Sequence, residues 1–291
     1  MTRPITVGVD GTPESEAAAA WAGREAVRRD VPLRIVHAWQ RQPTDVAVTV
    51  DQDTQAEWAR DLVREAERAA GERHPGLTVT AGVLEGRTAV ESLVAAAAEA
   101  ETLVLGSRGH GAIVGFLLGS VGQQVLSETE RPLVLVRSDD HPEAEAGGRE
   151  IVVGQHGGPE DSAAALRFAF ETAAARGAGL RAVRAWSLPP VFAYSPGSMK
   201  LADEAGGLEP YEREALGEAL RPWRERFPEV PVTEHVEIGS AAQVLLSVAG
   251  RAQLMVAGRR AHRRAVGSRI GSVAHALVHH APCPVAVVPP S

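Results

Sequence analysis

Cysteine, lysine and long apolar runs are what this chain has least of. Its one cysteine, Cys283, excludes an internal disulfide and a thiolate metal site, and it fits a reducing compartment. A single lysine, Lys200, stands against 29 arginines, which leaves almost no room for a lysine-dependent phosphate loop or Schiff-base chemistry. No stretch reaches the roughly 20 apolar residues of a membrane span. The opening MTRPITVGVDG runs into a strand-like segment without an apolar signal region, so a cytoplasmic protein with no membrane partner is expected. GxxxxGK[ST], GxSxG, HExxH and CxxC are all missing. The formal net charge of -7 disfavours nucleic acid as a partner.

What is present describes two folded domains. The 291 residues are 44% hydrophobic and 23% charged, a globular balance, and domains average about 150 residues. The chain also repeats itself. ITVGVDGTPESE at 5–16 returns as IVVGQHGGPEDS at 151–162, and LRIVHAW at 33–39 as LRAVRAW at 180–186. TLVLGSRGHGAIVGFLLGSV at 102–121 returns as QLMVAGRRAHRRAVGSRIGSV at 253–273, and RPLVLVR at 131–137 as CPVAVVP at 283–289. Four landmarks in one order identify a tandem duplication. The polar stretch 138–150 reads as a linker, so domains are expected at 1–138 and 149–291.

Within the first half, apolar runs at 5–9, 33–37, 77–84, 102–105 and 133–137 lack strict alternation, as in strands buried on both faces. Helical patterns fill 14–29, 54–73, 88–100 and 120–129. Pro13 and Pro159 are placed in first helical turns, while Thr88 with Glu91 and Ser240 with Gln243 read as capping boxes. The alternation predicts an α/β fold with an open parallel sheet and helices on both faces. Such sheets bind ligands beyond the carboxyl ends of their strands. The segments there are Asp10-Gly11-Thr12, His37-Ala38-Trp39 and Gly106 through Gly111.

Gly106, Gly109, Gly111, Gly115 and Gly119 lie within fourteen positions, ahead of a helix that starts at Ser120. Bare backbone with access to positive φ can approach a phosphate, and a helix N-terminus offers N–H groups to an anion. The competing reading is an ordinary loop with Ser120 capping its helix and Gln123 completing a capping box. Taken as a set, the glycines favour the anion site. His110, Ser120 and Asp10 are not read as a nucleophilic triad, and no catalytic residue is assigned. His279 and His280 sit at a helix end, where the dipole favours them. Trp21, Trp39, Trp58, Trp186 and Trp223 read as packing residues.

The spacing Gly106-x2-Gly109-x9-Gly119-Ser120, the opening VGVDGTPES, the strand IVHAW and the strand RPLVLVR together resemble the nucleotide-binding branch of the universal stress protein family. The resemblance covers both halves, as in tandem members of actinobacterial type. It implies two five-stranded parallel sheets of order 3-2-1-4-5, similar to the adenine nucleotide alpha-hydrolase fold, with ATP as ligand. It puts Asp10 and Gly11 beside ribose and adenine and Ala38 against the base. Gly106, Gly109, Gly119 and Ser120 then hold the phosphates, with Ser107, Arg108, His110, Gly111 and Val121 in the same loop. Mg²⁺ accompanying the triphosphate would offset the charge of Asp10.

By the repeat, the second-half positions are Gly157, Ala185, Gly258, Arg259, Ala261, Gly271, Ser272 and Val273. Ala261 replaces a glycine, and His156 stands where the first half has Asp10. Arg259, Arg260, Arg263, Arg264 and Arg269 either clamp a phosphate or form a solvated or inter-subunit face. Strands 133–137 and 285–288 are expected at sheet edges, where pairing of the halves, or a homodimer of tandem chains, would cover them. The leading expectation is an ATP-binding stress-response protein that senses nucleotide rather than turning it over. A weak ATPase on the same fold and an interaction module without ligand are the alternatives, and no protein partner is indicated.

Overall fold

The computed structural model describes residues 2–39, 52–86, 88–107, 119–140, 149–187, 207–259 and 270–290. It divides into two compact units, Met1–His141 and Pro142–Ser291. Residues 141–148 of the expected linker lie outside the described residues.

The first unit contains β1 (Ile5–Gly8), α1 (Pro13–Arg29), β2 (Leu33–Trp39), α2 (Gln52–Arg73) and β3 (Val79–Glu85). It continues through α3 (Ala89–Glu99), β4 (Thr102–Ser107), α4 (Ser120–Glu128) and β5 (Leu133–Arg137). All pairings within it are parallel, in the order β3-β2-β1-β4-β5. The second unit holds β6 (Glu150–Gln155), α5 (Ala163–Arg176), β7 (Leu180–Trp186), α6 (Glu209–Arg226) and β8 (Val232–Ile238). After these come α7 (Ala241–Val248), β9 (Ala252–Gly258), α8 (Ser272–His280) and β10 (Val285–Val288). Its order, β10-β9-β6-β7-β8, is the same arrangement. The expected 3-2-1-4-5 sheet is therefore present twice.

Burial explains the apolar runs. Leu103, Val104, Ile151, Val152, Leu254 and Met255 are wholly enclosed, because central parallel strands carry helices on both faces. Full burial of one such leucine contributes roughly 1.5–3 kcal/mol. β3 and β8 end their orders and are only partly covered. Contacts pair α1 with α2 and α3 with α4 in the first unit, and α5 with α6 and α7 with α8 in the second. Trp21 is buried in α1, and Trp223 stacks on Phe170 with ring centroids 6.3 Å apart. Trp58 departs from the packing expectation: it is 53% exposed.

Helix starts show where local signals succeeded and failed. Pro13 is the first residue of α1, and Thr12 caps that helix by accepting from the Ser15 N–H at 3.3 Å. Pro159 is not in a first turn. Residues 157–162 form turns, and α5 begins only at Ala163 because Ser162 Oγ is engaged by His156, accepting from its N–H at 3.0 Å and donating to its carbonyl at 2.9 Å. Thr88 caps α3 by accepting from Glu91 N–H at 3.1 Å. Ser240 stands at the cap position of α7, but its side chain makes no capping bond.

One close approach shapes the first unit. A Cβ on Gly106 would lie 2.6 Å from the Glu14 carbonyl carbon and 2.8 Å from the Ser15 nitrogen, so α1 begins directly against β4. At the matching Gly258, a Cβ would meet, among the described residues, only the Ala165 methyl, at 3.8 Å. Gly106→Ala is accordingly expected to cost about 1–3 kcal/mol in urea unfolding, whereas Gly258→Ala stays within about 0.5 kcal/mol of the parent.

His74 follows α2, and a Cβ on Gly23 of α1 would approach its ring to 2.9 Å. Burial, then the charges of Arg24 and Arg73, hold this histidine below its ordinary value of 6.5. The unfolded chain therefore takes up the proton first as pH falls through that value, and stability drops. Thermal melts between about pH 7.5 and about pH 5.5 should show a steeper loss in the parent than in His74→Gln.

Candidate functional site

Strand order reverses between β1 and β4, and a cleft of about 240 Å³ opens at their carboxyl ends. Its first wall is the turn from β1 into α1. The Asp10 carboxylate accepts from the Thr12 N–H at 3.1 Å and from the Thr12 hydroxyl at 2.5 Å. Ser15 Oγ accepts from the Asp10 N–H at 3.2 Å and donates to the Thr12 carbonyl at 2.9 Å. Gly11, with φ of 78°, supplies the left-handed residue that this reversal needs. The turn is thus closed on itself by three side chains and presents an exposed carboxylate to the cleft.

The opposite wall is the start of α4. Gly119 is its cap residue, and the first helical bond runs from Gln123 N–H to the Gly119 carbonyl. Ser120 is the first helical residue and not the cap, so the Ser120–Gln123 capping box does not form. The N–H groups of Ser120, Val121 and Gly122 have no intrahelical acceptor, and these residues line the cleft. Among the described residues no atom lies within 4 Å of a Cβ built on Gly119, and its φ of -58° is open to any residue. Positive φ therefore explains neither Gly119 nor Gly106. The first leaves open space at the helix end, and the second lets α1 and β4 meet.

Asp10, Ala38, Gly106, Gly119, Ser120 and Val121 all border this cleft. Gly11 does not; it faces Leu62 and Trp58 of α2. Ser107 ends β4, where its hydroxyl donates to the Val136 carbonyl at 3.2 Å. Arg108, Gly109, His110, Gly111 and Gly115 lie outside the described residues. Glu14 and Leu93, to which sequence reasoning assigned no part, also line the cleft, as does His37 of the candidate segment 37–39. His37 Nδ1 donates to the Val9 carbonyl at 2.7 Å, since a carbonyl can only accept, and its ring meets Trp58 edge-on at 5.5 Å. The sequence signal for His37 was its position at the end of a strand beside Ala38. Among the described residues no group of three or more His, Cys, Asp or Glu could hold a metal ion.

The second unit has a smaller cleft, about 80 Å³, at the matching place. Ala185, Gly258, Gly271, Ser272 and Val273 line it, together with Gln155 and His156. Gly157 and Arg259 do not; the Arg259 N–H donates to the Val288 carbonyl at 2.6 Å. Ala261, Arg260, Arg263, Arg264 and Arg269 fall outside the described residues. Gly271 caps α8 with φ of 78°, unlike Gly119. One turn into α8, burial first and then His279 and His280 push His275 below the usual histidine range, and the rings of His275 and His279 lie 4.3 Å apart.

A model of the universal stress protein family matches residues 1–137 and again 148–289. A universal stress protein of Mycobacterium tuberculosis is 33% identical over 291 residues, covering 97% of this chain and 96% of that one. One from Mycolicibacterium smegmatis is 34% identical over 301 residues, covering 98% and 97%. Among solved structures, a universal stress protein from Archaeoglobus fulgidus superposes with a TM-score of 0.72 at 18% identity, covering 99% of this chain and 98% of its own. Another from the same organism, solved in complex with dAMP, covers 46% of this chain at a TM-score of 0.36 and 21% identity. With both halves matched and full-length relatives above 30% identity, the chain belongs to the universal stress protein family.

Proposed function

We propose that the first unit binds ATP and that the protein acts as a nucleotide-dependent regulator in the stress response. The observation that carries this reading is the pairing of two features across one cleft. The amide-bearing start of α4, bared at Gly119, faces the carboxylate-bearing turn at Asp10. Amides at a helix N-terminus suit phosphate oxygens, and a carboxylate suits ribose hydroxyls. Three or four charge-assisted hydrogen bonds at roughly 1.5–3 kcal/mol each, with burial of the base, reach the ~8 kcal/mol of a micromolar ligand.

In this reading Ala38 supplies backbone to the base, and Gly106, Gly119, Ser120 and Val121 surround the phosphates. Gly11 holds the turn, and Ser107 leads into 108–111, where Arg108, Gly109, His110 and Gly111 complete the phosphate loop. Asp10 and Glu14 both bring negative charge to the cleft, so a triphosphate would bring Mg²⁺ with it. Asp10 would be a chain ligand to that ion, with phosphate oxygens and water filling the remaining positions, as this cation prefers. Domains at 1–138 and 149–291, a homodimer and a cytoplasmic setting belong to the same reading. No helix among the described residues is long and apolar enough to cross a membrane.

The test is Gly119→Glu. Open space and an ordinary φ at this position let the fold accept the new side chain, while its charge and bulk occupy the phosphate end. Calorimetric titration with ATP and Mg²⁺ should show affinity falling on the order of 100-fold or more, with the melting temperature preserved. A folded variant that binds as tightly as the parent refutes the site.

A further inference from the structure

The two clefts differ most where the duplicated strands differ. Val9 of the first unit corresponds to Gln155, and His37 to Arg184. In the first unit the cleft extends over the side that carries α1, reaching Thr12, Glu14, Ser15 and His37. In the second unit Arg184 and residues 158–162 do not line the cleft, which keeps Gln155, His156 and Ala185 at the strand ends beside α7 and the start of α8.

A polar network holds the missing part. Arg184 Nε donates to Glu212 Oε2 of α6 at 2.6 Å. Its Nη1 donates to Gln155 Oε1 at 2.6 Å and to the Gly157 carbonyl at 2.9 Å. Gln155, only 3% exposed, uses its Nε2 to donate to the carbonyls of His156 and Gly157 at 3.3 and 3.2 Å. A buried amide needs partners for both ends, and Arg184 satisfies the oxygen while the turn satisfies the nitrogen. The planar guanidinium therefore lies across the ends of β6 and β7, and swinging it aside would deprive Gln155 Oε1 of this donor. His37 in the first unit makes one bond to its own strand neighbour and leaves that ground open.

We propose that Arg184, fixed by Glu212, Gln155 and the Gly157 carbonyl, excludes the nucleoside from the second unit, so that each chain binds one nucleotide. This rests on the reading of the first unit as an ATP site. His156 reinforces the exclusion, because it removes the carboxylate that ribose hydroxyls would meet at Asp10.

The experiment is a calorimetric titration of full-length protein with ATP and Mg²⁺, read for stoichiometry. The parent should take up one equivalent, Gly119→Glu none, and the double variant Gln155→Val with Arg184→His, which restores the first-unit residues, two. Two equivalents in the parent overturn the exclusion while leaving nucleotide binding itself intact, whereas one equivalent in the parent, retained at the same affinity by Gly119→Glu, refutes the first-unit site instead. If the parent binds none, the first-unit reading falls, and the double variant alone decides: one equivalent gained supports the role of Arg184. A folded double variant with no gain overturns it. Should the double variant not fold, Arg184→His alone is titrated in its place: a second equivalent supports the role of Arg184, and a folded chain with no gain overturns it.

Discussion

In the first unit, the start of α1 lies so near the backbone of β4 that Gly106 has no space for a side chain. That contact fixes where the chain must turn after β1. With α1 held there, Ser15 can reach back to the Asp10 N–H, Thr12 can cap the helix, and the Asp10 carboxylate gathers both Thr12 donors. The opposite wall, at α4, depends on a different glycine for a different reason, open space. The cleft is what remains between a tightly placed turn and an uncovered helix end.

The duplicated half solves the same turn differently. The corresponding helix does not press on Gly258, the serine that clips the turn comes one residue later, and the helix starts at Ala163. Gln155 and Arg184 then tie down the looser turn from beneath. Sheet order survived duplication because it is set by buried apolar strands, which tolerate exchange of one aliphatic residue for another. The turn beyond β6 rests on individual hydrogen bonds, and those were rebuilt.

Much of the fold was legible in the sequence. The internal repeat and the unalternated apolar runs gave two parallel sheets, and the topological rule for such sheets directed attention to Asp10, Ala38 and Gly119. What stayed hidden has two causes: partners distant in sequence, and local hydrogen bonds that residue propensity does not rank. Pro159 looked like a helix start because local propensity cannot see Ser162 engaged by His156. The crowding that Gly106 relieves could not be read locally, because it comes from residues 14 and 15, some ninety positions earlier. The Gln155–Arg184–Glu212 network spans three elements, and no short motif announces it. The helix does begin at Ser120, as its sequence reading had it, and glycine rather than the competing Ser120 takes the capping place.

Cys283 is 6% exposed, between α8 and β10. Oxidants and alkylating reagents attack an accessible sulfhydryl anion, so a sheathed one reacts only while its surroundings are open. A peroxide burst would therefore find no ready thiolate on the native molecule, and sulfenic acid or mixed-disulfide adducts would accumulate only on copies that had begun to come apart. In this chain the solitary sulfhydryl works as a timer of opening in the second unit, and its rate of capping under native conditions reads how often that unit breathes.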